Sequence, residues 1–213
     1  MSYRLAFVVV ALVVFAAPAA QAKAPPNGLT FCGAGGVCVP LTFLESEALH
    51  LWTPTGETAP AAPAPYYALH VIWQPGGTEQ MFYWIPSRGL VRRLYDSGDV
   101  GWLRVPAQSL PSSLIDLKPI AMPRITGATV GGRHVRRPST YLRLLSVGHL
   151  VSISPVVDWL RVRFVASAPS PFTDANADVR IAKEGGYLFR DRFVFKIPER
   201  LADRARRGLP LNG

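Results

Sequence analysis

The chain is short of the residues that most readable chemistry needs. It has two cysteines and four histidines in 213 residues. Two thiolates cannot close a structural zinc site alone, and the spacing of Cys32 and Cys38 is not the C-x-x-C of a redox pair. The sequence contains no H-E-x-x-H, G-x-S-x-G, P-loop, G-x-G-x-x-G or S-x-x-K, which removes the usual signatures of zincins, serine hydrolases, nucleotide binders and acylating enzymes. Its longest apolar run is Leu5 to Ala17, 13 residues, whereas a bilayer-spanning helix takes about 20. Charge of negative sign is scarce: 14 Asp and Glu stand against 23 Lys and Arg, a net charge of +9. That balance favours anionic partners. No block of five like charges occurs, so a scattered, solvated basic surface is the alternative.

What is present is an apolar, strand-rich chain. Residues are 49% hydrophobic and only 17% charged, a globular composition. Residues 1–22 have the form of an export signal: Arg4 in the n-region, the 13-residue apolar core, then Ala20-Gln21-Ala22 as cleavage site. The mature chain is expected to begin at Lys23, in the periplasm or outside the cell, with no transmembrane helix left. An uncleaved N-terminal anchor is the alternative. Export implies an oxidising compartment, so Cys32 and Cys38 are expected to bridge. Gly33, Gly35 and Gly36 between them allow a hairpin with Phe31 on one arm and Val37–Val39 on the other.

Residues 23–52 thus form an N-terminal disulfide hairpin segment, in which Leu41 to Trp52 could be strand or a helical turn. Residues 53–65 hold four prolines and read as an exposed loop or linker. Residues 66–110 make a first β half, with strands at 66–73, 80–85, 90–95 and 100–105. Residues 111–128 are a Pro-rich connection. Residues 129–197 make a second β half, with strands at 129–135, 141–145, 149–154, 158–166, 179–182 and 187–197, and a polar loop at 167–178. In the last strand Asp191 interrupts an aromatic face, which suggests a bulge or an Asp–Arg pair. Residues 198–213 hold a short basic helix and tail, opened by Pro198 and closed by Gly208. The predicted fold is all-β, a small barrel or a sandwich, in two halves that could each be SH3-like, with that C-terminal helix.

Part of the second half resembles the bacterial SH3 (SH3b) module of exported envelope proteins. His134-Val135-Arg136-Arg137-Pro138-Ser139 resembles that family's opening N-V-R-x-x-P-S, with His for Asn. Leu145, Gly148, Val151 and Ile153 resemble its L-x-x-G-x-x-V-x-V hairpin, and Trp159-Leu160-Arg161-Val162 its W-x-x-V. Gly186-Tyr187-Leu188 stands for a closing G-W-V after an insertion of about 20 residues, and 98–110 resembles the same closing segment of a first copy. The likeness covers about residues 96–110 and 130–190. It implies binding of cell-wall peptide, glycan or a protein partner, without catalysis.

The run Trp-Leu-Arg-Val occurs twice, at 102–105 and 159–162. If both strands present their Trp and Arg to solvent, the candidate ligand surface is Trp102, Arg104, Trp159, Arg161, Arg163 and Tyr187, with Arg190 and Arg192 projecting beside it. Aromatic faces with interleaved guanidinium groups suit sugars, prolines or anions. No catalytic residue, metal ligand set or cofactor is assigned. His134 and His149 could meet across a hairpin as half a metal site, and His70 reads as a satisfied core or edge residue. The partners expected are a cell-wall polymer or an envelope protein, and export argues against nucleic acid. Two other readings stay open: a structural subunit of an envelope or secretion assembly, and an envelope hydrolase whose site the sequence does not show.

Overall fold

The computed structural model describes residues 26–49, 55–77, 79–95, 98–106, 112–152, 155–174 and 177–212. Residues 1–22, expected to be an export signal, and His50, Trp52, Asp96 and Ser97 lie outside them. The fold is an all-β sandwich of two seven-stranded antiparallel sheets, and neither sheet closes into a barrel. The first contains β1 (Gly28–Cys32), β2 (Cys38–Pro40), β3 (Gly56–Glu57), β4 (Tyr67–Ile72), β5 (Gln80–Ile85), β6 (Leu90–Leu94) and β7 (Val100–Arg104), in the order β2-β1-β4-β5-β6-β7-β3. The second contains β8 (Ile125–Val130), β9 (Arg133–His134), β10 (His149–Leu150), β11 (Trp159–Ala166), β12 (Val179–Ala182), β13 (Tyr187–Arg190) and β14 (Phe193–Lys196), in the order β10-β14-β13-β12-β11-β8-β9.

The first sheet is apolar on both faces, which explains why YALHVI and QMFYWI are near-continuous hydrophobic runs rather than alternating ones. Tyr83, Ile85, Leu90 and Trp102 face the second sheet. Tyr67, Leu69, Phe82, Trp84 and Val91 point the other way, under Leu41, Leu49, Leu114 and Leu117. Leu41 and Leu49 flank helix α1 (Phe43–Ala48), so the described part of the ambiguous stretch holds a helix over 43–48. Its Thr42 cap fixes the start: the Thr42 side chain accepts from the Glu45 amide while the Glu45 carboxylate takes the Thr42 amide.

The second sheet buries one face only. Val162, Val179, Ile181, Leu188 and Phe195 point inward, against a 3-10 helix (Pro138–Leu145) and helix α2 (Glu199–Arg206) as well as the first sheet. The expected strand at 141–145 is therefore corrected to that 3-10 helix. Pro138 opens it, and the buried residues Tyr141, Leu144 and Leu145 fall at helical spacing. Helix α2 follows the reading from Pro198, and Gly208 closes it at φ +69°.

Three further expectations change. The strand at 187–197 is a hairpin: β13 and β14 pair through a two-residue turn, Asp191 at φ 41° and Arg192 at φ 78°. Both positive φ values are those of a type I′ turn, usually marked by Asn-Gly. The segment at 53–65 is no free linker, because Gly56 and Glu57 pair with Arg104 and Leu103 and Ala64 is buried. The polar loop after β11 is a plug: Ser170, Pro171, Phe172 and Thr173 are buried. Its polar groups satisfy one another, Ser170 Oγ lying 2.9 Å from Thr173 Oγ1.

Cys32 and Cys38 form the expected disulfide across the β1–β2 hairpin, where they pair in register. Closing so short a loop is worth about 2 kcal/mol on the chain-entropy model. Cys32→Ser with Cys38→Ser is expected to lower stability by roughly that amount in urea unfolding, and a loss of zero would refute the structural role.

Candidate functional site

The outer face of the second sheet is built from strand alternation. On β11, Leu160, Val162 and Phe164 turn inward, so Trp159, Arg161, Arg163 and Val165 turn to solvent, as the sequence pattern required. Register then sets their neighbours. Arg161 lies directly opposite Arg180 of β12. Arg163 lies opposite Thr129, which lies opposite His134 at the sheet edge. Trp159 lies opposite Ala182, and the Trp159 and Phe189 rings are 5.9 Å apart. The guanidinium of Arg180 sits 5.0 Å over the Phe189 ring, and the Lys196 ammonium 4.1 Å over the Tyr187 ring. Asp178 clamps Arg180, accepting from Nε at 2.8 Å and from Nη2 at 2.5 Å, and this hydrogen bond raises the Arg180 pKa further. Arg161 and Arg163 are exposed and make no ion pair among the described residues.

Four of the six predicted surface residues thus share one face: Trp159, Arg161, Arg163 and Tyr187. Arg104 is exposed but belongs to the first sheet. Trp102 is corrected: it is 2% exposed and lies between the sheets, its ring 5.6 Å from Phe172 and its Nε1 donating to Asp191 at 2.7 Å. The two Trp-Leu-Arg-Val runs therefore have opposite orientations relative to the inter-sheet core. Arg190 is corrected in the same way. It turns inward, 3.7 Å over the Phe195 ring, with Nη1 donating to the Leu145 carbonyl. Burial lowers its pKa to about 10, so it stays charged at neutral pH. Arg180, Phe189 and Lys196 complete the outer face. Arg180 was visible in the alternation of β12, whereas Phe189 and Lys196 needed the hidden hairpin turn.

His134 and His149 lie on β9 and β10, at opposite edges of the sheet, so they form no half-site. His70 Nδ1 lies 2.8 Å from Glu79 Oε1. Among the described residues no group of three or more metal-ligating side chains comes together, and no helix is long and apolar enough to cross a membrane.

The seam between the sheets holds a second polar cluster. Arg92, 1% exposed, gives Nη1 to Asp174 Oδ2 at 2.6 Å and Nη2 to Oδ1 at 2.8 Å. This pair lines a cavity of about 520 Å³ with Met81, Tyr83 and Leu94. Tyr66 gives its hydroxyl to the Pro169 carbonyl at 2.9 Å, and burial raises its pKa to about 12. Asp191 accepts from Trp102 Nε1 and from the Asp178 amide at 2.8 Å.

Burial raises the Asp191 pKa more than these hydrogen bonds lower it. A carboxyl whose pKa is higher folded than unfolded stabilises the fold below its unfolded value and loses that contribution as pH rises through the folded one. Relative to Asp191→Asn, the wild type is therefore expected to gain stability as pH falls from neutral towards the ordinary carboxylate range. A pH series of urea unfolding curves for both proteins checks this, and a stability difference flat with pH would contradict it.

No family model, curated protein or solved structure matches this chain.

Proposed function

We propose that this is an exported, non-enzymatic binding module of the cell envelope, which holds an envelope polymer or partner protein on the outer face of its second sheet. The observation that carries the reading is the grouping of Trp159, Tyr187 and Phe189 with Arg161, Arg163, Arg180 and Lys196 on one solvent-facing surface. Like charges directly opposite across strands are unfavourable, so Arg161 beside Arg180 fits a surface that meets an anion. The signal-like residues 1–22, the Cys32–Cys38 bridge and the likeness of 134–162 to SH3b modules support an envelope setting.

The test is sedimentation of the chain from Lys23, disulfide formed, with insoluble peptidoglycan at low and high salt. Binding that survives high salt and falls on Trp159→Ala supports the module. Binding lost entirely to salt reports only the net charge, +9 for the whole sequence less Arg4, or +8, and that outcome, or no binding at either salt, rejects wall polymer as the ligand.

A further inference from the structure

We infer that the outer face of the second sheet takes an acidic polysaccharide, a chain of sugar rings carrying carboxylate groups, laid along β11. The inference rests on the reading of that face as the binding surface and names the chemistry of its ligand.

The cations are arranged as a track. Arg161 and Arg163 stand along β11, two residues or about 6.6 Å apart, with Arg180 beside Arg161 on β12 and His134 beyond Thr129 on β9, so cations flank the strand on both sides. Arg180 is held rigid by Asp178 below and Phe189 beneath its plane, which leaves Nη1 as its free donor. Arg161 keeps its whole fork. A guanidinium fork is matched to a planar carboxylate.

The aromatic rings are used unequally. Phe189 lies under Arg180 and Tyr187 under Lys196. Among the described residues no cation lies over Trp159, whose ring is only half-buried and packs on Phe189. A half-buried indole with no cation over it therefore sits two residues from Arg161, which makes no ion pair among the described residues. The apolar C–H face of a sugar ring covers an indole, and its acid group then falls near Arg161.

The depressions along β11 point to a polymer with hydroxyl groups. One of about 380 Å³ lies at the Trp159 end, lined by Asp158, Lys183 and Glu184 among others, and one of about 370 Å³ lies beside Arg161 and Arg163, where Thr173, Asp174 and Ala177 flank the strand. Five strand residues separate Asp158 from Arg163, roughly 16 Å, so an elongated ligand fits better than a compact one. Asp158, whose Oδ2 accepts from Lys183 Nζ at 3.0 Å, and Glu184 are acceptors for sugar hydroxyls. A polyphosphate chain has neither hydroxyl donors nor a ring to lay on the indole, which disfavours it.

The experiment titrates the full chain with polygalacturonate, and in parallel with neutral dextran, polyphosphate and single-stranded DNA. Polygalacturonate is expected to bind at least about tenfold more tightly than dextran. Arg161→Gln and Trp159→Ala are each expected to weaken it about tenfold, while Trp159→Phe retains it and all three variants unfold at the wild-type midpoint. Polyphosphate or DNA binding as tightly as polygalacturonate, without dependence on Trp159, would overturn the inference. If polygalacturonate does not bind but peptidoglycan still sediments the chain in a Trp159-dependent way, this inference fails and the broader reading of the face survives. Failure of both ligands rejects both.

Discussion

Replacing Asp174 by Ala is expected to destabilise the fold by roughly 3–5 kcal/mol, among the largest effects of any single substitution outside the apolar core. Arg92 sits on β6 in the first sheet and Asp174 on the plug that follows β11 in the second, 82 residues apart in sequence. Their two hydrogen bonds, at 2.6 and 2.8 Å, tie the sheets at the seam. The guanidinium is 1% exposed and the carboxylate side chain 15%. Without the carboxylate the guanidinium, 1% exposed, remains in the seam, 5.8 Å from the Tyr83 ring, with both of its hydrogen bonds to Asp174 lost. The penalty is that of an unpaired buried charge, not the net worth of the pair. Arg92→Met combined with Asp174→Leu should therefore recover most of the loss, because an apolar pair of similar volume removes the stranded charge altogether. Urea unfolding of Arg92→Met, Asp174→Leu and the double variant forms the cycle, with Asp174→Ala measured beside it. A loss below about 1 kcal/mol for Asp174→Ala would mean that water reaches Arg92 and the seam is not closed as described.

The strands marked by local composition and flanking turns were legible in the sequence. Gln80–Ile85, Leu90–Leu94, Val100–Arg104, Trp159–Ala166 and Val179–Ala182 fall where β-branched and aromatic residues are bounded by turn formers. The disulfide and the C-terminal helix were legible for similarly local reasons. What could not be read was set by contacts distant in sequence. Asp191-Arg192 makes a type I′ turn without the usual Asn-Gly, and it does so while Trp102, 89 residues away, and the Asp178 amide hold the Asp191 carboxylate. The plug at 167–174 looks like a solvated loop because Ser, Thr and Asp dominate it. The buried Ser170 and Thr173 hydroxyls satisfy each other and the carboxylate is met by Arg92, so burial costs it little. The outer face was half legible: alternation placed Arg161 and Arg163 correctly on β11, but the neighbours that complete the surface depend on register with β12 and β13.

The repeated Trp-Leu-Arg-Val run gives the sharpest contrast, because one motif stands in two environments. Trp102→Ala is expected to cost roughly 3–5 kcal/mol, and Trp159→Ala less than about 1 kcal/mol. Trp102 fills space between the sheets against Phe172, and its Nε1 is a hydrogen-bond donor to a buried carboxylate. Truncation leaves both a cavity and an Asp191 oxygen without that donor. Trp102→Phe separates the two contributions: it keeps most of the ring and deletes the donor, for an expected loss of about 1–3 kcal/mol. Trp159 is half-buried on an outer face, so its loss removes contact with Phe189 and little else from the folded state. The identical sequence behaves differently because β7 lies in a sheet covered on both faces, while β11 lies in a sheet covered on one. In the first, both orientations of a strand are core, and a large aromatic is retained for packing. In the second, a residue with the parity of Trp159 must face solvent, and folding alone gives no reason for indole there. Equal losses for the two alanine variants would show that Trp159 is packed as structure, and the outer face would then lose its claim as the binding surface.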